Sequence, residues 1–265
     1  MSTVTAIHKL LSIFKASEGT IRPHAIVTGS SGAGKSHNIK LLADQLEIPM
    51  IQINAAGLTK EGISGNSLSK ALTPLLQLGG QPAICFVDEF DKLFISGNSN
   101  SMLAHESTNG VQNEFLTVLE GTANVFGDYG KFHETNTQNV LFLFAGAFNG
   151  EQDLTIDRLK ELGVKTEFLG RVGLVFNIPN ITLDTMLEIL KNSTLVADYL
   201  QVFKGVNKDD VIQTISDEIK SRFASNTLGA RLVNTLVHQY FITGSVKPTQ
   251  KVKRILTPKL QMDKP

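Results

Sequence analysis

The chain has 265 residues and a mass of 28.8 kDa, and 42% of those residues are hydrophobic, enough apolar surface for one large domain and a smaller second one. Twenty-five basic and twenty-five acidic residues give a formal charge of zero and a pI near 7.0, so no global field favours nucleic acid or an anionic membrane as the main partner. The lone Cys85 excludes a disulfide framework, and no apolar run approaches the roughly 20 residues that a membrane helix needs; a soluble protein of a reducing, cytoplasmic compartment is expected.

In chain order, Val4, Ile7, Leu10, Leu11 and Phe14 recur at helical spacing and stop at Glu18-Gly19, which predicts an N-terminal helix. Residues 25–28 read as a short buried strand. Ile39, Leu41, Leu42 and Leu46 then mark a helix, and residues 50–54 a second strand. A helix is expected from about Ser67 to Leu78, and the apolar run 83–87, containing Cys85, has the character of a central strand covered on both faces. Residues 96–110 are rich in Ser, Asn and Gly and read as a loop before a helix over 111–120. Two further strands follow at 140–145 and 174–176. Alternation of this kind predicts an α/β fold in which helices flank a parallel sheet.

Beyond Pro179 the pattern changes to helices only, marked by Leu183, Met186, Leu187 and Leu190, then Val211, Ile212, Ile215, Ile219 and Phe223, then Leu228, Leu232, Val233, Leu236, Val237 and Tyr240. The expected organisation is a nucleotide-binding α/β domain over 1–179, a small C-terminal helical lid domain over 180–245 and a basic tail over 246–265. The tail holds six basic residues from Lys247 onward against the single acid Asp263. It reads either as a solvated extension or as an arm that docks on an acidic surface or nucleic acid.

Two motifs carry the chemistry. Gly29, Ser30, Ser31, Gly32, Ala33, Gly34, Lys35 and Ser36 match the phosphate-loop pattern residue for residue, with a strand before and a helix after, as that pattern requires. Its glycines allow backbone N–H groups to surround phosphate at the start of the helix, where His37 follows. Lys35 is expected to reach the β- and γ-phosphates of ATP, and Ser36 to offer a hydroxyl to Mg²⁺. The run 83–87 ends in Asp88 and Glu89, and the carboxyl end of a central parallel strand is where ligands of such sheets bind. Asp88 is expected to hold Mg²⁺ and Glu89 to orient and deprotonate water. Taken alone, the two acids would serve equally well to begin a helix. The histidines His8, His24, His37, His105, His133 and His238 show no spacing that suits a metal site.

Taken together, the residues resemble the AAA+ ATPases, and within them the ClpX and HslU type of unfoldase. The resemblance is carried by the run 87–93 around Asp88-Glu89-Phe90-Asp91-Lys92, the helix 110–122, the strand 139–148, the segment Glu167-Phe-Leu-Gly-Arg171 and the helix start Leu228-Gly-Ala-Arg231. It implies a homo-oligomeric ring, of six subunits in that family, with ATP at each interface. Arg171 would then act as an arginine finger toward a neighbour's γ-phosphate, Arg231 as a lid residue touching phosphate in its own subunit, and Asn149 as a water-positioning residue after the fourth strand. A protein client is implied as well.

The departures from that type concern what the ring acts on. The pore segment corresponds to Gly62-Ile63-Ser64-Gly65, with Ile63 in place of an aromatic. The segment between Phe148 and Glu167 is too short for a protease-docking loop, and no cysteine cluster supplies an N-terminal zinc domain, so a ClpP-type protease is not expected as a partner. Phe126, Tyr129 and Phe132, near Lys131 and His133, read either as a surface hairpin or as a loop that touches the client. Three functional classes remain: a protein remodeller, a DNA-associated ATPase of the helicase-loader or transposition-regulator kind, and a scaffold timed by nucleotide. A small-molecule kinase is the reading least supported.

Overall fold

A computed structural model describes residues 1–59, 66–94, 102–127 and 131–246, the side chains of 102–109 excepted. The segment from Gly62 to Gly65, Tyr129 and the basic tail from Lys247 onward lie outside the described residues. The chain divides into two compact units, Met1–Ile181 and Thr182–Pro265.

The first unit contains α1 (Thr3–Ala16), β1 (Ala25–Thr28), α2 (Lys35–Gln45), β2 (Met50–Asn54), α3 (Leu68–Ala71), β3 (Ala83–Asp88), α4 (Met102–Glu120), β4 (Thr122–Phe126), β5 (Phe132–Asn136), β6 (Val140–Gly146), α5 (Ile156–Glu161), α6 (Thr166–Arg171) and β7 (Leu174–Asn177). Among the described residues, five of these strands form one parallel sheet in the order β2-β3-β6-β1-β7, and β4 pairs with β5 as an antiparallel hairpin. Alternate residues of the central strands feed two apolar layers. Ala25, Val27, Ile84, Phe86, Leu141, Leu143 and Ala145 pack toward α1 and α2, whereas Ile26, Cys85, Val87, Phe142 and Phe144 face the opposite side. On that side Phe90, Phe144 and Phe168 lie with ring centres 4.7–4.9 Å apart, and Phe115 packs edge-on against Phe144 at 5.3 Å. A strand buried on both faces must be apolar at every position, which is why β6 reads as an unbroken hydrophobic run. The same burial pushes the Cys85 thiol well above its ordinary pKa, so it acts as a small apolar side chain.

The helices differ from the sequence expectation in four places. The expected helix to Leu78 is only α3 followed by a 3₁₀ stretch, Thr73–Leu78, because Pro74 has no N–H to donate and disfavours helical geometry before it. The polar segment before Val111 is already helical, since α4 starts at Met102. Leu41 faces solvent, and Ala43 is buried on that helix together with Ile39 and Leu42. The second unit holds four helices among the described residues, α7 (Leu183–Lys191), α8 (Thr194–Val202), α9 (Lys208–Arg222) and α10 (Arg231–Thr243); α8 was not anticipated. No described helix is long and apolar enough to cross a membrane.

One polar group in the core makes stability depend on pH. His24 is buried just before β1, where Nδ1 accepts the Phe142 amide N–H at 3.1 Å and the ring meets Phe142 edge-on. Desolvation first, and then the charge of Arg22, holds its pKa down to about 4 from the usual 6.5. The unfolded chain takes up a proton before the folded ring does, so this contribution is complete above pH 6.5 and is lost as pH falls toward about 4. Thermal midpoints should therefore drop on acidification through that window. The His24→Asn variant, which keeps an acceptor near the position of Nδ1, should show a shallower fall over the same range, and an unchanged slope would assign the effect to another group.

Candidate functional site

The site forms at the carboxyl edge of the parallel sheet. β1 ends at Thr28, the loop 29–34 turns away from it, and α2 starts at Lys35. Gly34 precedes the helix with a left-handed φ of +89° and offers no side-chain cap, and the first turn of α2 holds no acid. The head of the helix therefore offers an anion the positive end of the helix dipole with no acid in the first turn to oppose it. Gly29 is required by a close approach as well as by its φ of +146°, because a Cβ there would stand 2.7 Å from the carbonyl oxygen of Ile178.

The polar side chains converge on this loop. Lys35 is buried, and its ammonium donates to the carbonyls of Gly29 at 2.6 Å and Ser30 at 3.0 Å, so the charge is held inside the curve of the loop. The Ser36 hydroxyl donates to Oδ2 of Asp88 at 2.9 Å, joining the two motifs across 52 residues of sequence. Oδ1 of Asp88 accepts the backbone N–H of Glu89, also at 2.9 Å. Glu89 is exposed and adopts a left-handed φ of +55°, which directs the chain away from the strand at the point where the acid projects. Hydroxyl and carboxylate oxygens are the hard donors that suit Mg²⁺, so Ser36 and Asp88 fit the metal that the sequence implies.

Three further groups brace the edge. Asp91, buried just after the acid turn, accepts the Phe148 N–H at 3.2 Å and so ties that turn to the end of β6. Beyond β6, Phe148 and Asn149 have φ of +44° and +58°, and Asn149 is exposed at this same edge, three residues past Gly146, the partner of Thr28. Asn177, at the end of β7, accepts from the Thr28 hydroxyl at 2.6 Å and from the Leu154 N–H at 2.8 Å, and donates to the Leu154 carbonyl at 3.0 Å. Ser30 donates to Asn180 at 2.6 Å, a second tie between the loop and the strand after it. Ser31 and His37 are exposed on the loop and the first helical turn, with Gly32 and Ala33 between Ser31 and Gly34.

The structure thus brings the loop residues, Asp88, Glu89 and Asn149 to one edge, while Arg171 lies elsewhere in the same unit and Arg231 belongs to the second unit. Arg171 ends α6 and precedes β7, whose first residue, Leu174, pairs with Ala25 at the start of β1. Its backbone is therefore at the sheet edge where these strands begin. The guanidinium pairs with the Glu120 carboxylate and donates to the Glu167 backbone carbonyl at 3.3 Å, so the carboxylate partner is Glu120 and not the neighbouring Glu167. Arg231 is the first residue of α10 in the second unit. Asp91, Asn177, Asn180 and Glu120 were not singled out from sequence. Asp91 lies in the run 87–93 and Glu120 in the helix 110–122, but neither the burial of the one nor the distant partner of the other has a local signature.

Comparison with known proteins follows the same lines. Residues 25–161 match the family described as ATPase family associated with various cellular activities (AAA). The chain is similar to the ATP-dependent Clp protease ATP-binding subunit ClpX of Bacteroides fragilis, with 27% identity over 266 residues that cover 82% of this chain and 63% of that protein. It is also similar to the protein of that name in Borrelia duttonii, with 24% identity covering 90% of this chain and 66% of that one. For ClpX 2 of Wolinella succinogenes the identity is 27%, over 80% of this chain and 61% of that one. The chain thus spans just under two thirds of the length of these relatives.

The close approach at Gly29 gives a direct test of the cradle. Gly29→Ala places a methyl group against Ile178 in a conformation that L-residues avoid, at a cost on the order of 1–3 kcal/mol. The variant should melt at a lower temperature than the parent and bind a nucleoside triphosphate at least about tenfold more weakly. Gly57→Ala, with no atom within 4 Å of the added Cβ, should leave triphosphate affinity unchanged.

Proposed function

Because the chain belongs to the ATPase family associated with various cellular activities, we propose that it hydrolyses ATP at the carboxyl edge of its sheet and uses the cycle to rearrange a protein partner. The observation that carries the reading is the Ser36–Asp88 hydrogen bond beside the buried Lys35. It places a hydroxyl, a carboxylate and an ammonium within one loop's reach, the set that a magnesium triphosphate needs.

In this reading the N–H groups from Gly29 to Ser36 and the head of α2 hold the phosphates, and Lys35 exchanges its loop carbonyls for β- and γ-phosphate oxygens. Ser36 and Asp88 would hold Mg²⁺, which supplies charge neutralisation between phosphate oxygens. Glu89 aligns the attacking water and accepts its proton, and Asn149 fixes that water from the neighbouring strand end. Lys35 and Arg171 together stabilise the charge that develops on the transferred phosphoryl group.

Arg171 acts toward a second copy of the chain. Its backbone stands at the opposite end of β1 and β7 from the loop, a separation of about 10–15 Å along the strands at roughly 3.3 Å per residue, and its remaining donors are free to meet a neighbour's phosphate. Repeating this head-to-tail contact closes a ring, which we take to be hexameric. The second unit serves as a helical lid over 180–245. Arg231, the first residue of that unit's last described helix, would be the lid residue that touches phosphate.

The client is taken to be a polypeptide, as the name of the relatives as subunits of a protease suggests. The β4–β5 hairpin offers it an aromatic contact. Phe132 is 53% exposed at the start of β5, while Phe126 is held edge-on against it at 5.5 Å, with the Lys70 ammonium 5.5 Å from its ring centre. No docking of a ClpP-type protease is included, since residues 148–167 are occupied by the strained turn after β6, α5 and the start of α6.

Hydrolysis and binding should separate by residue. Glu89→Gln should retain ATP affinity within a few fold and lose at least about 100-fold in turnover, whereas Lys35→Ala should bind ATP about tenfold more weakly or worse. Phosphate release and equilibrium binding check both, and a Glu89→Gln variant with parental turnover would remove Glu89 from the mechanism. Phe132→Ala should leave basal turnover unchanged while lowering remodelling of a client captured by the Glu89→Gln chain.

A further inference from the structure

Arg171 does not point from a free side chain. One Nη bonds to the carboxylate of Glu120, the last residue of α4, and the other donates to the carbonyl of Glu167 one turn back in α6. α4 packs along α6, and a second tie fixes their relative position, with the Lys165 ammonium donating to Asn113 at 2.8 Å.

The backbone that carries Glu120 is itself anchored. The Val118 carbonyl accepts the Thr137 hydroxyl at 2.7 Å, the Leu119 carbonyl accepts from Arg22 at 3.4 Å, and the Gly121 carbonyl accepts the Thr137 N–H at 2.8 Å. Glu120 therefore projects from a fixed point between three held carbonyls.

The side chains of Arg171 and Glu120 are 36% and 56% exposed, so as a surface ion pair they add little to stability. What the pair does supply is direction. An arginine released from this contact spreads over many rotamers, few of which would face a given phosphate. A guanidinium has five N–H donors, and this one is 36% exposed with one contact from each Nη, so donors remain for a phosphate.

We propose that Glu120 is the positioning residue of Arg171, aiming its guanidinium at the triphosphate of the adjoining protomer. The proposal rests on the reading of Arg171 as the group that completes a neighbour's site. Glu120 touches no substrate and acts only through Arg171.

Steady-state ATP turnover of the full chain, with Mg²⁺ and at a concentration where parental specific activity no longer rises, tests it. Glu120→Ala should lower kcat by about 10- to 100-fold, as a misdirected catalytic group does, with KM and nucleotide affinity unchanged within about twofold. Glu120→Asp should recover part of the loss by keeping the charge on a shorter arm. Adding Glu120→Ala to Arg171→Ala should lower turnover no further. Losses that multiply in the double variant, or a parental kcat in Glu120→Ala beside a slow Arg171→Ala, would overturn the role of Glu120 and leave that of Arg171 standing. Parental turnover in Arg171→Ala would overturn both. Circular dichroism and thermal midpoints compare folding across the set, and Glu120→Gln, which keeps the side-chain volume, gives the same kinetic comparison if the alanine variant unfolds.

Discussion

The placement of β6 between β1 and β3 is the constraint from which the site follows. The strand that leads into the phosphate loop and the strand that ends in Asp88 are not neighbours, so their motifs meet only across the end of a third strand. All three run the same way, and their carboxyl ends share one edge. Ser36 bridges the gap to Asp88 at 2.9 Å, a distance possible because α2 starts immediately after a six-residue turn. The bond is therefore a readout of the sheet order, and anything that displaced β6 would separate the two halves of the chemistry.

That edge holds backbone that would be costly elsewhere. Glu89, Phe148 and Asn149 are non-glycine residues in left-handed conformations, each at the exit of a central strand. Such residues persist where surrounding packing outweighs the strain, and here Phe90 and Phe148 on either side are fully buried while Asp91 clamps the two exits together. The aromatic layer formed by Phe90, Phe115, Phe144 and Phe168 thus does more than fill space. It fixes the turns from which an acid and an amide are presented, on the rigid elements that a preorganised site requires.

What was legible from sequence divides along the same line between local and tertiary causes. The five sheet strands were readable because each is a short apolar run, and the loop and the acids because their chemistry is compressed into adjacent residues. The helices were read less well. Pro74 cut one short, the polar composition before Val111 concealed the first turns of another, and α8 buries Val196 alone, too little to mark an apolar stripe. Asn177, Asn180 and Glu120 were invisible for a different reason. Each acts on a residue between 51 and 150 positions away, and no spacing in the chain records that encounter.

On the proposed reading, the separation of Arg171 from the loop is also a reason for copies of the chain to assemble. β1 and β7 are four residues long and paired from end to end, with the loop after one end and Arg171 before the other. No side-chain rotation spans that length, so on the proposed reading a single copy holds every group for binding a triphosphate and lacks the cation that best stabilises its transfer. Each copy would bring to its neighbour what it cannot use itself. Binding and hydrolysis are then set by different surfaces of one chain, and a change at the contact between copies reaches the reaction without touching the cradle that holds the substrate.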